Sequence, residues 1–144
     1  MSGRPETRLV TGDWAALRAD ASPVRIAVFV DEQRFPLDEE FDAHDAASLH
    51  AVAYDGTRPV ATGRLLPDAR IGRMAVLPAH RGGGVGGRLL ERLVCCAAER
   101  GDREVTLSSQ VRAIGFYERH GFVAEGPEYD DTGVPHRTMR RRLG

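Results

Sequence analysis

The chain contains no lysine; its 20 basic residues are all arginine. That absence removes several chemistries at once. A Walker-type phosphate loop needs its lysine, and neither a pyridoxal Schiff base nor a lysine nucleophile can form. Cysteine is scarce as well, with two residues, Cys95 and Cys96, side by side in a helical pattern. Neighbours on a helix point about 100° apart, so a bridge between them would strain the backbone. They read as small apolar residues, compatible with a reducing compartment. No window approaches the roughly 18 uninterrupted apolar residues of a membrane span. Residues 1–6 have neither an apolar core nor a cleavage pattern, so a cytoplasmic location is expected, with no membrane partner. The net charge of −1 gives no general pull toward nucleic acid. His80, His120 and His136 lack metal-ligand spacing with the cysteines, so no metal is expected. The run Arg140-Arg141-Arg142 has no accompanying aromatic platform and reads as a strand end.

What is present fits one domain over residues 1–144, long enough to bury a core without disulfide staples. Residues 7–10 form a candidate first strand, and residues 13–19 have weak helical character. Ser22-Pro23 then resembles an N-cap followed by proline at the first helical position, with Ile26, Phe29 and Val30 on one face of a helix that runs to Glu32. Phe35-Pro36 stops it, and residues 38–47 read as an acidic loop with a short helix. Three strand-like runs follow at residues 50–54, 59–66 and 70–77, with Asp55-Gly56 as a hairpin signal and Pro67-Asp68 as the second turn. Residues 87–100 carry a helical stripe of Leu89, Leu90, Leu93, Val94 and Ala97, closed by Gly101. Residues 105–108 read as a strand and residues 113–120 as a short helix. Residues 122–124 and 136–141 read as two closing strands joined through Asp130-Asp131-Thr132-Gly133.

Six of the seven residues in Arg81-Gly82-Gly83-Gly84-Val85-Gly86-Gly87 are arginine or glycine, directly before the amphipathic helix. Glycines let a backbone approach a ligand, and a helix start offers unpaired N–H groups and the positive dipole end. Three readings compete. Gly82, Gly84 and Gly87 match a dinucleotide fingerprint, but that motif belongs at a tight turn straight off a first strand, and here Pro78-Ala79-His80-Arg81 intervenes. A purely structural glycine loop is a second reading, although so many glycines weaken a helix start that has no ligand. The third is a loop for the pyrophosphate of coenzyme A.

The spacing Arg81-x-x-Gly84-x-Gly86 resembles the signature of the GNAT acetyltransferases. Arg73-Met74-Ala75-Val76-Leu77-Pro78 resembles that family's fourth strand, and Ala113 with Phe116-Tyr117 and Gly121-Phe122 resembles its A-x-x-F-Y-x-x-x-G-F element. Asp31-Glu32-Gln33, the acidic run around Asp42 and Asp45, Ser108-Ser109-Gln110 and Gly133-Val134-Pro135-His136 resemble its ElaA/YjcF-like branch, over nearly the whole chain.

The resemblance implies a mixed α/β (α+β) fold of bacterial type. Its twisted sheet has six to seven strands, flanked by helices and splayed between strands four and five. It implies acetyl-CoA as cosubstrate and an amine of a small molecule or peptide as acceptor. Backbone groups of residues 82–87 would hold the pyrophosphate, with a charged contact from Arg81, and Met74, Ala75 and Val76 would pair with the pantetheine arm. A backbone N–H near Met74 or Ala75 would stabilise the oxyanion. Phe116 and Tyr117 would border the thiol, with Tyr117 as general acid, since a phenol at about 10 is close to a thiol. Glu32, His50, Asp42, Asp45 and His44 are candidates for the base, Glu32 first. The acidic run would line the acceptor cleft and favour a cationic amine. A non-catalytic module that senses coenzyme A is the alternative, and a homodimer is open.

Overall fold

The computed structural model describes residues 7–131 and 133–144. The leader reading of residues 1–6 and the place of Thr132 in the last turn lie outside the described residues.

Seven strands form one sheet in the order β1-β2-β3-β4-β5-β7-β6. They are β1 (Arg8–Gly12), β2 (Leu49–Asp55), β3 (Arg58–Leu65), β4 (Arg70–Val76), β5 (Glu104–Gln110), β6 (Val123–Asp131) and β7 (Val134–Arg142). Every pairing is antiparallel except β4 with β5, whose parallel alignment is supplied by a crossover through α4 (Val85–Glu99). Helix α4 lays Leu89, Leu90, Leu93 and Ala97 on Ala51, Ala61, Val105 and Met139, the main core. On the opposite face α1 (Trp14–Arg25) covers Val52 and Tyr54 with Leu17 and Ala21. Strands β2 and β3 are therefore covered on both faces, which is why their buried runs do not alternate. Two short helices, α2 (Leu37–Glu40) and α3 (His44–Ala47), carry the acidic run, and α5 (Ile114–Glu118) follows β5.

The first helix departs from expectation. It starts at Trp14, where Asp13 Oδ1 accepts the Ala16 N–H at 2.8 Å, and Pro23 lies inside it. Pro23 supplies no N–H to the ladder. The winding then widens into a π-helical segment, Ile26–Glu32, with Gln33 N–H bonded to Val28 O at 3.0 Å. The changed period turns Val24 and Val28, not Ile26 and Val30, onto Ala75 of β4. The last two strands are also longer than expected. An irregularity between Glu125 and Tyr129 accommodates Gly126 (φ +74°) and Pro127, and β6 then continues as an exposed edge strand. The arginine run lies within β7, where Arg140 pairs with Glu104 and Glu125, and Arg141 with Glu91. Among the described residues no helix is long and apolar enough to cross a membrane.

Candidate active site

Strands β4 and β5 pair only at Arg70–Thr106 and Ile71–Leu107, then diverge. The gap opens a slot of about 1600 Å³ between the strands, the mouth of α4 and α5. Single small ligands occupy roughly 300–1,000 Å³, so the slot has room for a large cofactor and a second reactant.

Strand β4 supplies one wall. Its register against β3 shifts by one residue, so that Arg73 and Met74 together oppose Gly63. This is a bulge, and Arg73 takes the left-handed conformation there (φ +50°). The Leu77 N–H bonds to Val60 O at 2.9 Å. Alternation from that bond turns the backbone groups of Val76 to the open edge, while those of Ala75 serve β3. The bulge breaks that alternation at Arg73 and Met74, which share a single position opposite β3.

The mouth of α4 supplies the second wall. The Arg88 N–H to Gly84 O bond at 3.1 Å is the first to close the helix, and no side chain caps Gly84. Among the described residues no acceptor takes the N–H groups of residues 82–87. The glycines have separate causes. Gly82 and Gly84 have φ of +82° and +86°. A Cβ at Gly87 would sit 2.9 Å from the His120 ring, and one at Gly86 3.4 Å from Val76. Gly83 has neither a positive φ nor any atom within 4 Å of a Cβ. Gly84→Ala is therefore expected to lower unfolding free energy by about 1–2 kcal/mol. Gly83→Ala should change it by less than about 0.5 kcal/mol in the same urea titration.

Tyr117 stands edge-on to Phe116 (centroids 5.0 Å) and Phe122 (6.0 Å), and lines the slot with Phe116. Burial pushes its phenol up to about 12, so it keeps its proton at any working pH. The near-match with a thiol expected from reference values is lost. Against a thiol near 8.5, full transfer is uphill, and Tyr117 is placed to donate a hydrogen bond.

Glu32 also lines the slot, but its carboxylate is clamped by Arg81 through contacts of 2.6 and 2.8 Å. The hydrogen bonds to Arg81 and that residue's charge hold the carboxyl below its ordinary range, which weakens it as a base. Arg81 Nε donates to Val76 O at 2.9 Å, so the loop arginine braces the open edge of β4. His50 falls outside the slot. It is 1% exposed on β2, its ring tilted against that of Trp14 at 4.7 Å, with Nε2 2.9 Å from Asp45 O, and burial lowers its pKa.

Glu40, Asp42 and Asp45 of the acidic run are paired with arginines and do not form a cation-attracting wall. Arg25, 1% exposed, reaches Glu40 at 2.9 Å and Asp45 at 2.7 Å, and Arg64 bonds Asp42 and Asp45 at 2.8 Å. Arg73 at the bulge approaches Glu40 at 3.3 Å and Asp42 at 3.5 Å. Three arginines thus neutralise three carboxylates, and the network pins the bulge to α2 and α3. His44 is exposed, and its backbone N–H donates to Asp42 Oδ1 at 3.0 Å. The slot wall as a whole carries eight arginines against the carboxylates of Glu32, Glu40, Glu91 and Asp131.

Burial pushes Asp42 upward, but the hydrogen bonds and charge of Arg64, then Arg73, outweigh it and hold the carboxyl at about 2. Its stabilising contribution is complete above the unfolded value near 3.9 and is lost as pH falls toward 2. Urea titrations should give a stability flat near neutrality that declines below about pH 4. Asp42→Asn should shallow that decline.

The sequence reading missed Gln33, Ser108, Gln110, Arg112 and His136 as slot residues. Gln110 donates to Gln33 at 3.1 Å and accepts from Arg112 Nε at 2.8 Å, which ties the π-helical segment to the end of β5. A chamber of about 360 Å³ adjoins the slot, sharing Glu32, Gln33, Phe35, Gln110 and Arg112 with it and adding Val111, Val134 and Pro135. Two branch motifs, Ser108-Ser109-Gln110 and Val134-Pro135-His136, were the available signal. Among the described residues no group of three or more histidines, cysteines or carboxylates is placed to hold a metal.

The family model described as an acetyltransferase (GNAT) domain matches residues 17–143. The chain belongs to the GNAT acetyltransferase family. It is an acyltransferase of the YjcF- and ElaA-like branch. The uncharacterised N-acetyltransferase YjcF of Bacillus subtilis is 40% identical over 126 residues, covering 85% of this chain and 90% of YjcF. The crystal structure of an acyl-CoA N-acyltransferase from Pseudomonas aeruginosa matches with a TM-score of 0.85 and 32% identity, over 94% of this chain and 99% of that one. Escherichia coli ElaA matches with a TM-score of 0.83 and 28% identity, over 94% and 99%. The splayed β4–β5 pair, the β4 bulge and the uncapped α4 mouth all border the one slot.

Proposed function

We propose that this acetyltransferase moves an acetyl group from acetyl-CoA to a primary amine by direct attack, as a single cytoplasmic domain. The observation that carries the reading is the continuity of two surfaces: the open edge of β4, where Arg81 braces the Val76 carbonyl, and the uncapped mouth of α4. The first suits an extended arm with amide groups, and the second suits a diphosphate. Gly82, Gly84, Gly86 and Gly87 line the slot at that mouth, and Gly83 between them has no reason in the fold to be glycine. Arg88, Arg92 and Arg119 line the same end without a carboxylate partner among the described residues. Bound there, acetyl-CoA supplies the activated acyl group.

In this reading the N–H groups of the bulge receive the developing oxyanion. Tyr117 hydrogen-bonds the sulfur as the C–S bond breaks. Glu32 acts by holding Arg81, and the chamber beside Gln110 and Arg112 receives the acceptor. Because the acidic run is neutralised by Arg25, Arg64 and Arg73, the acceptor need carry no positive charge beyond its amine. An additional acidic group on the acceptor suits Arg112. Release of free thiol from acetyl-CoA, measured against polyamines, amino acids and peptides, tests the reading. Turnover with one class, fastest for amines that also bear a carboxylate, is expected. Tight binding of acetyl-CoA with background rates for every amine would favour a non-catalytic module.

A further inference from the structure

We infer that His136 is the base that takes the proton from the acceptor's amine; this rests on the acetyl-transfer reading above. The register of β7 sets His136 opposite Gln110 of β5 and opposite Tyr129 of β6, so these side chains share one face of the sheet at the slot. Val134 and Pro135, just before it, line the small chamber, and His136 lines the slot, so the ring stands at their junction.

The ring is held in one tautomer. Nδ1 lies 2.8 Å from Val134 O. A carbonyl only accepts, so Nδ1 carries the proton, and in the neutral ring Nε2 presents its lone pair. Among the described residues Nε2 has no partner. Tyr129 stacks on the imidazole at 6.1 Å, and its hydroxyl is bonded to Ser108. The ring is 7% exposed and so has little freedom to turn. Charged and titratable groups come from each neighbouring element. They are Tyr129 and Asp131 on β6, Arg112 beyond β5, and Glu32, itself held by Arg81, on the π-helical segment. No carboxylate lies within ion-pairing distance of the ring among the described residues, unlike His80, bound to Asp55, and His120, bound to Glu91 at the α4 mouth.

The ammonium of the acceptor gives one proton to His136 Nε2, and the freed lone pair forms the N–C bond to the acetyl carbon. The carbonyl π pair moves to oxygen and returns as the C–S bond breaks, leaving its electrons on sulfur. The sulfur, hydrogen-bonded by Tyr117, ends as the thiol by taking the second proton lost from nitrogen, and His136 returns its proton to water. The net products are the amide, free coenzyme A and one proton.

His136→Gln and His136→Ala test the assignment against wild type, with kcat/KM for an accepted amine followed from pH 5.5 to 9.5 and acetyl-CoA affinity by calorimetry. Both variants should bind acetyl-CoA as wild type does and lose about 10²-fold or more in kcat/KM. The enzyme's own step on the acid side should vanish, leaving only the acceptor's ionisation, and added imidazole should restore part of the alanine variant's rate. A folded variant with the wild-type rate or an unchanged acid limb overturns the base and leaves acetyl transfer standing. A wild-type protein that binds acetyl-CoA but acetylates no amine overturns both. Should the variants fail to fold, diethyl pyrocarbonate inactivation of wild type, mapped by mass spectrometry, must track modification of His136. Inactivation that leaves His136 unmodified overturns the assignment.

Discussion

Arg25→Met is expected to destabilise the protein by about 3–5 kcal/mol, the cost of leaving buried carboxylates without their partner. Arg25 is 1% exposed, makes four hydrogen bonds to Glu40 and Asp45, and stacks on Trp14 and Phe41 at 5.3 and 4.8 Å. Methionine keeps the apolar stem and none of the charge. Burial already pushes Glu40 upward, so removing the cation should drive it to take up a proton. Unfolding followed by circular dichroism should show a midpoint lower by roughly 10 °C or more. Arg81→Ala, which breaks a solvent-exposed pair with Glu32, should cost less than about 1 kcal/mol. Equal losses in the two variants would mean that the buried network does not hold the bulge as described.

Tyr117→Phe is expected to lower kcat by about 10²- to 10³-fold, the cost of losing one donor to developing charge, while acetyl-CoA affinity stays unchanged. The hydroxyl alone is removed, and the ring contacts with Phe116 and Phe122 remain. A second consequence follows from its phenol standing at about 12. Wild-type kcat/KM should show no descending limb from Tyr117 until pH approaches that value. A limb near pH 10 that disappears in Tyr117→Phe would mean that the phenol is not desolvated in the working enzyme. An unchanged kcat would remove Tyr117 from the chemistry.

The residues that spoke most clearly in the sequence were those under backbone constraint. Gly82 and Gly84 announce the α4 mouth because their φ angles exclude most side chains, and Leu89, Leu90 and Leu93 fix the helix by period alone. The strands from β2 to β4 were legible through their turns. The bulge was not, because Arg73 and Met74 have no composition that marks an extra residue; only the partner strand's register reveals it. The π-helical segment was hidden for a related reason: Ile26, Phe29 and Val30 satisfy a period of 3.6 on paper, and only the widened winding after Pro23 turns Val28 inward. Glu40, Asp42 and Asp45 read as part of an acidic run lining the acceptor cleft because their arginine partners lie far away in sequence, at positions 25, 64 and 73. The polar residues of β6 were read as a turn because an exposed edge strand has no buried face to set an alternation. His136 was visible as a residue, but its position beside the slot depends on pairing with Gln110.

Calorimetric titration of the folded protein with acetyl-CoA, beside the Gly83→Ala variant, tests the central claim most directly. One saturable site per chain is expected, with affinity weakened in the variant while its urea midpoint stays at the wild-type value. No heat from acetyl-CoA or free coenzyme A, on protein whose circular dichroism is native, would contradict it.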